Sequence, residues 1–374
     1  MDHQEVFITG IGLQSALGDR ERSWSKLLRA ETGIRIQQIF AEWPALPLAM
    51  IKATPQTLNG LTAQLVKAAL HDAGWRVPLI NCPVVIGSSR SYQPLWEQFK
   101  HSGANFPILE YLPHMLAIQA AQQIGSQAAV LAPMAACSTG IWSIERGYQL
   151  VASGQYDRAL VGAVEAPISP LTITGFQQLG VLATTGCYPF DRQRQGLVLG
   201  EGGAIFTLES QYSAKRRGAK IYAQIRGAGL TNDAYHPCTI EPTGTSARAA
   251  IQKCLQTSQL HSTDIDYIHV HGTATPLNDQ QEATLIHQLW PHSLPISGSK
   301  GAIGHTLGAS AAIGVALACL ALRDQILPPS VGCRVTDFDY LDIIRSARPT
   351  ALRHILCWSF GFGGQNAVLA ISSV

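Results

Sequence analysis

Three side chains in this sequence could together do nucleophilic and acid–base chemistry, and each follows a short apolar run. Cys137 lies in Ala132-Pro-Met-Ala-Ala-Cys137-Ser-Thr-Gly140, His271 in His271-Gly-Thr-Ala-Thr-Pro-Leu-Asn-Asp279, and His305 in Ser299-Lys-Gly-Ala-Ile-Gly-His305-Thr-Leu-Gly308. A thiol attacks as its thiolate, and the free N–H groups and dipole of a helix N-terminus favour that form. Residues 128–134 read as a buried strand, and Ile141, Ile144, Tyr148 and Val151 recur at helical spacing, which puts Cys137 at such a terminus. Taken singly, a free cysteine is as readily a small interior hydrophobe, and a lone histidine a core residue. A cysteine, two histidines in glycine-bearing turns and the loop Ser359-Phe-Gly-Phe-Gly-Gly-Gln-Asn366 are together hard to explain by packing.

The elements that must position these residues alternate along the chain. Apolar spacing predicts helices over 61–73, 113–124, 246–257 and 280–289, and strands over 83–87, 158–164, 204–209, 221–225, 265–270, 294–297, 352–359 and 367–372. The uncharged stretch 307–322 is too short and too rich in Gly and Ala for a membrane span and reads as a helix buried on all sides. Segment 88–106 gives no clear pattern. Strand–helix alternation implies an α/β protein with parallel strands and helices on the faces. The order repeats about a division near 215, which suggests a duplication. Residues 1–215 would then carry the cysteine and 216–374 both histidines.

Composition narrows the class. With 46% hydrophobic and 14% charged residues, the 374-residue chain has material for a large core. A net charge of +2 without a long basic block argues against a nucleic-acid partner. The 8 cysteines include no CxxC pair, which argues against a zinc site or a disulfide framework and fits a reducing compartment. The start, Met1-Asp-His-Gln-Glu5, lacks the basic region of a signal peptide, so a cytoplasmic location is expected. Gly10, Gly12 and Gly18 miss the dinucleotide-binding spacing.

Five segments in order carry a resemblance: Ala136-Cys-Ser-Thr-Gly140; Pro189-Phe-Asp-Arg192 with Gly200-Glu-Gly202; His271-Gly-Thr-Ala-Thr275 with Asn278, Asp279 and Glu282; Lys300 with Gly304-His305; and Gly361-Phe-Gly-Gly364. The sequence resembles the β-ketoacyl-[acyl carrier protein] synthases, Cys-His-His condensing enzymes of the thiolase-like superfamily. The resemblance implies a thiolase-like α/β fold: two duplicated βαβαβ halves, layered, with buried helices between sheets. It implies decarboxylative Claisen condensation in fatty acid, polyketide or aryl-polyene type biosynthesis. Cys137 would take an acyl group from an acyl carrier protein as a thioester. His271 and His305 would stabilise the enolate formed when a malonyl unit loses carbon dioxide. Phe362 would give the oxyanion hole its second N–H beside that of Cys137 and would gate the acyl pocket. Thr273 and Thr275 would bond the pantetheine arm, and Lys300 would be the active-site lysine. No metal or organic cofactor is implied. The implied partners are acyl carrier protein and a second subunit, in a homodimer or a heterodimer with a related synthase.

Charged residues within the motifs, Asp191, Arg194, Glu201, Asp279 and Glu282, are expected to be mainly structural. Lys215, Arg216 and Arg217 suit either a carrier-protein dock or a solvated turn. Two departures stand out. The chain is short between 31 and 106, and the glutamate that many relatives pair with the lysine falls on Gly314, so Lys300 is expected to lack that partner. Two other activities fit the same motifs: an acyltransferase that does not condense, and a chain-length-factor-like subunit shaping a partner's pocket.

Overall fold

The computed structural model describes residues 4–102 and 107–374. Residues 1–3 of the stretch read as lacking a leader, and 103–106 of the segment without a pattern, lie outside the described residues. The first half runs β1 (Val6–Ser15), α1 (Leu58–Ala73), β2 (Val84–Gly87), α2 (Met115–Ile124), β3 (Val130–Leu131), α3 (Thr139–Ala152), β4 (Arg158–Glu165) and β5 (Gly202–Ser210). The second runs β6 (Ala223–Asn232), α4 (Thr245–Ser258), β7 (Tyr267–His269), α5 (Pro276–Leu289), β8 (Pro295–Ser297), α6 (Ser310–Asp324), β9 (His354–Gly361) and β10 (Gln365–Ser372). These eight elements follow in the same order in each half, and the helices Arg20–Leu28, Gln93–Ser102 and Pro170–Gln178 are additional to the first.

These strands lie in one twelve-stranded sheet in the order β8-β7-β9-β10-β6-β1-β5-β4-β2-β3, with Asp342–Ile343 beyond β8 and Gly18–Asp19 paired to β1. The halves are continuous because β1 pairs β6 antiparallel from Val6↔Ile225 to Ile8↔Ala223. The sheet is mixed, where alternation suggested parallel strands throughout. β2 is parallel to β3 and β4, and β7 to β8 and β9, whereas β5 and β10 return antiparallel beside β4 and β9. Between β9 and β10 only three residues intervene, too few for a parallel crossover. The strand expected over 128–134 shortens to Val130–Leu131, at the sheet's edge. Segment 88–106 contributes a helix, Gln93–Ser102.

Local chemistry accounts for the helix ends. Thr57 caps α1 through its side chain, and Gly74 closes it in the left-handed conformation at φ 66°. α6 is different: every residue from Ser310 to Leu322 is buried, and charge begins only at Arg323. Leu307–Asp324 is apolar and long enough to cross a membrane, yet 89% of it is buried within the protein. Each buried Leu or Ile there contributes about 2 kcal/mol by leaving water. α6 packs on α3 so closely that a Cβ at Gly140 would lie 2.4 Å from the Ala312 nitrogen. The two equivalent helices of the halves thus meet back to back, and the starts of both sit beside the reactive residues.

Candidate active site

Cys137 stands between β3 and α3, in a short 3-10 turn, Ala136–Ser138. Ala136 has φ 46°, a left-handed conformation that side-chain-bearing residues rarely adopt. Such strain persists where the surroundings over-determine it. Ser138 Oγ donates to Ser359 O (2.9 Å) and Gln365 O (2.6 Å), while Ser359 Oγ donates to Cys137 O (3.0 Å). Gly361 allows the close approach: a Cβ there would lie 3.0 Å from the Cys137 nitrogen. The β9–β10 hairpin therefore clamps the nucleophile's turn and brings the Phe362 N–H close enough to favour the thiolate.

His271 follows β7, held by Glu282 of α5, which accepts the N–H groups of His271 (2.7 Å) and Gly272 (2.6 Å) and the Asn278 amide (2.8 Å). His305 is fixed where its N–H donates to Val198 O (2.6 Å) and its carbonyl accepts from Gly200 N (3.0 Å). The Cys137 sulfur and one ring nitrogen of each histidine lie within 4.8 Å of one another, and the two rings meet edge to face at 5.5 Å.

The hydrogen bonds decide the tautomers. His305 Nδ1 accepts the Leu307 N–H (3.0 Å) and lies 2.9 Å from Ser310 Oγ, so the proton is on Nε2. Lys300 Nζ donates to His271 O and lies 3.3 Å from His271 Nδ1; an ammonium offers only hydrogens, so that Nδ1 accepts as well. Burial, and then the Lys300 charge, hold both imidazoles well below their usual range and hence neutral. The result is two neutral imidazoles, each with its N–H on Nε2, grouped beside a thiol. The same three residues offer atoms close enough together to hold a metal ion.

Burial pushes the Cys137 thiol up to about 11, against the pull of Lys300, the Phe362 N–H and Arg90. The helix-start argument had favoured the thiolate; at this site desolvation outweighs it, and the resting group is a thiol. Lys300 is also buried, which lowers its pKa, opposed first by Glu282. Among the described residues no carboxylate lies within 4.0 Å of its ammonium. The place of the expected glutamate is taken by a residue the sequence reading passed over. A Cβ on Gly314 would lie 2.7 Å from His269 Cε1, so the His269 ring fills that space. His269 Nε2 is buried without a partner among the described residues, and burial drives this histidine down to about 3. Strand alternation, which puts residues two apart on one side, was the available signal.

The other motif residues sort by hydrogen bonding. Asp191 accepts the N–H groups of Gln193 (2.8 Å), Arg334 (2.7 Å) and Val335 (2.8 Å). Asp279 accepts from Phe190 (2.7 Å) and Ala274 (3.2 Å), and Glu201 from Ile51 (3.3 Å) and Gln56 (2.7 Å). Arg194 lies over the Phe338 ring at 4.8 Å. These groups tie loops together behind the site. Arg217 is committed to the buried Glu209 and to Ala73 O, and Arg216 lies over Tyr212, so two of the three basic residues are engaged within the chain. Thr273 and Thr275 bring their hydroxyls to 2.8 Å of each other at the start of α5, Thr275 half-exposed.

A thiol, an N–H donor on its sulfur and two neutral imidazole donors define a site for acyl transfer with charge stabilisation at a second oxygen. The chain matches "Beta-ketoacyl synthase, N-terminal domain" over residues 47–214 and "Beta-ketoacyl synthase, C-terminal domain" over 222–334. It is similar to a protein of Mycobacterium tuberculosis named 3-oxoacyl-[acyl-carrier-protein] synthase 2, with 31% identity covering 98% of this chain and 96% of the relative. Among solved structures, the ishigamide ketosynthase/chain length factor matches at TM-score 0.91 and 26% identity, covering 100% of both chains. A ketosynthase bound to a hexaketide and complexed with its type II polyketide acyl carrier protein matches at TM-score 0.91 and 25% identity, again over 100% of both chains. The chain belongs to the β-ketoacyl synthase family and has its thiolase-like α/β fold.

Proposed function

We propose that the protein is a 3-oxoacyl-[acyl carrier protein] synthase that condenses an acyl group held on Cys137 with a malonyl unit. The observation that carries this is the convergence of the Cys137 sulfur, the Phe362 N–H and two Nε2–H imidazoles.

In the first half-reaction the Cys137 sulfur attacks a carrier-protein thioester. The S–C bond to Cys137 forms, the pantetheine sulfur leaves and takes the proton as a thiol, and the N–H groups of Cys137 and Phe362 receive the oxyanion. In the second, the malonyl thioester oxygen accepts from His271 and His305. The bond to the carboxylate breaks, carbon dioxide leaves, and the electron pair becomes an enolate. Its carbon attacks the acyl-Cys137 carbonyl, and collapse of the tetrahedral intermediate returns the thiolate and the 3-oxoacyl product. Neutral histidines suit this step, because an N–H donor stabilises a developing oxyanion without having to lose a proton. Thr273 and Thr275, with hydroxyls 2.8 Å apart, would bond the pantetheine arm, and Lys300 holds His271 in its donor tautomer. No metal or organic cofactor enters the scheme. The partners are an acyl carrier protein and a second synthase-like subunit, identical or related.

The test is acyl loading by intact-protein mass, with carbon dioxide release and product mass measured in parallel. Loading on Cys137, absent in Cys137→Ala, with products two carbons longer supports the proposal. Equal loading of the variant, or transfer without added carbons, overturns it.

A further inference from the structure

Phe362 stacks on Phe176 with ring centres 6.0 Å apart and 24° between planes. The guanidinium of Arg90 lies over the other partner of that stack, 5.3 Å from the Phe176 ring centre. Its charge is felt at the thiol. Arg90 is half-buried, and among the described residues no carboxylate lies within 4.0 Å of its guanidinium. Glu165 bonds the backbone N–H of Arg90 and the Ser88 and Ser89 hydroxyls.

The next residue adds an independent observation. Ser91 is 1% exposed, its hydroxyl has no hydrogen-bond partner among the described residues, and its φ is 50°. An orphaned buried hydroxyl costs about 1–3 kcal/mol. A left-handed non-glycine conformation costs about 1–2 kcal/mol more. Ser91 lines a cavity of about 770 Å³ with Phe40, Tyr92, Ile168 and Ser169. Glu97, an acid on the same cavity, is engaged by Ser169 Oγ (2.6 Å) and the Leu171 N–H (3.0 Å).

Phe362 and Phe176 share one apolar cluster with Phe40 and Ile168 of that cavity, so an acyl chain leaving Cys137 past Phe362 is led toward it, and a hydrocarbon there offers the Arg90 cation and the Ser91 hydroxyl no acceptor. A chain bearing carbonyl or hydroxyl oxygens satisfies both. Resting on the acyl transfer proposed above, we propose that Arg90 and Ser91 are specificity-determining residues and that Cys137 accepts an oxygenated acyl chain in preference to a saturated one. A site built to donate hydrogen bonds discriminates against the isostere that lacks the acceptor.

The experiment compares octanoyl, 3-oxooctanoyl and 5-oxooctanoyl pantetheine thioesters, following acylation of Cys137 by intact mass at several concentrations. In the wild type, kcat/KM for the better oxo thioester exceeds that for octanoyl by about tenfold, the worth of one charged hydrogen bond. Arg90→Met removes most of that ratio, Ser91→Ala a smaller part, and Arg90→Lys keeps part of it. Thermal unfolding of each variant confirms that it folds. The same ratio in wild type and Arg90→Met, with Cys137 still acylated, overturns the Arg90 assignment and leaves the synthase reaction standing. No acylation of Cys137 by any thioester overturns the synthase reaction and this selectivity together.

Discussion

At the scale of single residues, the site works by burial as much as by charge. Desolvation holds Cys137 as a thiol up to about 11, so the thiolate is a small fraction at neutral pH. Because the folded pKa lies above the ordinary value, raising pH toward it increases the reactive form. Alkylation of Cys137 by iodoacetamide is therefore expected to rise about tenfold per pH unit between roughly pH 7 and 9, without a plateau. A plateau near neutrality would show that the N–H of Phe362 and the nearby cations dominate instead. The histidines separate the half-reactions. His305→Ala removes one enolate donor but nothing bonded to the sulfur, so loading persists while carbon dioxide release falls about 10²–10³-fold. Equal loss of both would mean that His305 also serves the thiol.

At the scale of elements, positions in the site are set by contacts between segments far apart in the chain. The nucleophile's turn is tied to the β9–β10 hairpin by three hydroxyl–carbonyl bonds, across more than 220 residues. α6 must approach β7 closely enough for the His269 ring to occupy the space beside Gly314. Gly314→Ala puts a carbon 2.7 Å from that ring and is expected to lower the melting temperature. Adding His269→Ala removes the obstacle, so the double variant should lose less than the two single losses summed, by about 1 kcal/mol or more. Strict additivity would show that the ring moves aside freely.

At the scale of the whole molecule, the sheet ends at β3, whose backbone edge has no neighbour among the described strands. Just beyond it Met134 is 55% exposed. An open edge is a template for another strand, and proteins usually cover it. The proposed second subunit is expected to pair there. Sedimentation should then give about twice the 40.2 kDa chain mass for a homodimer, and Met134→Asp should shift it toward the monomer. A monomer in the wild type at micromolar concentration favours a different, related subunit as the partner.

Much of this was legible without coordinates. Helix and strand periodicity located the long helices and most strands of the sheet, because amphipathic burial is local and repeats at 3.6 or 2 residues, but it missed the helices Gln93–Ser102, Pro170–Gln178 and Gln211–Arg216. The order of Cys137, His271, His305 and the Phe362 loop pointed to the chemistry, since reactive side chains in glycine-bearing turns have few packing explanations. What only the tertiary structure decided depends on contacts between distant segments. The resting thiol follows from burial, and the donor tautomers follow from Lys300 and from Leu307 and Ser310. The filling of the Gly314 space by His269 needed two strangers in sequence to become neighbours. So did Arg90 and Ser91: in the chain they are an ordinary polar pair, and only the Phe176–Phe362 stack and the cavity make them a site. Periodicity reports which face of an element is buried; it carries no information about which other element is pressed against it.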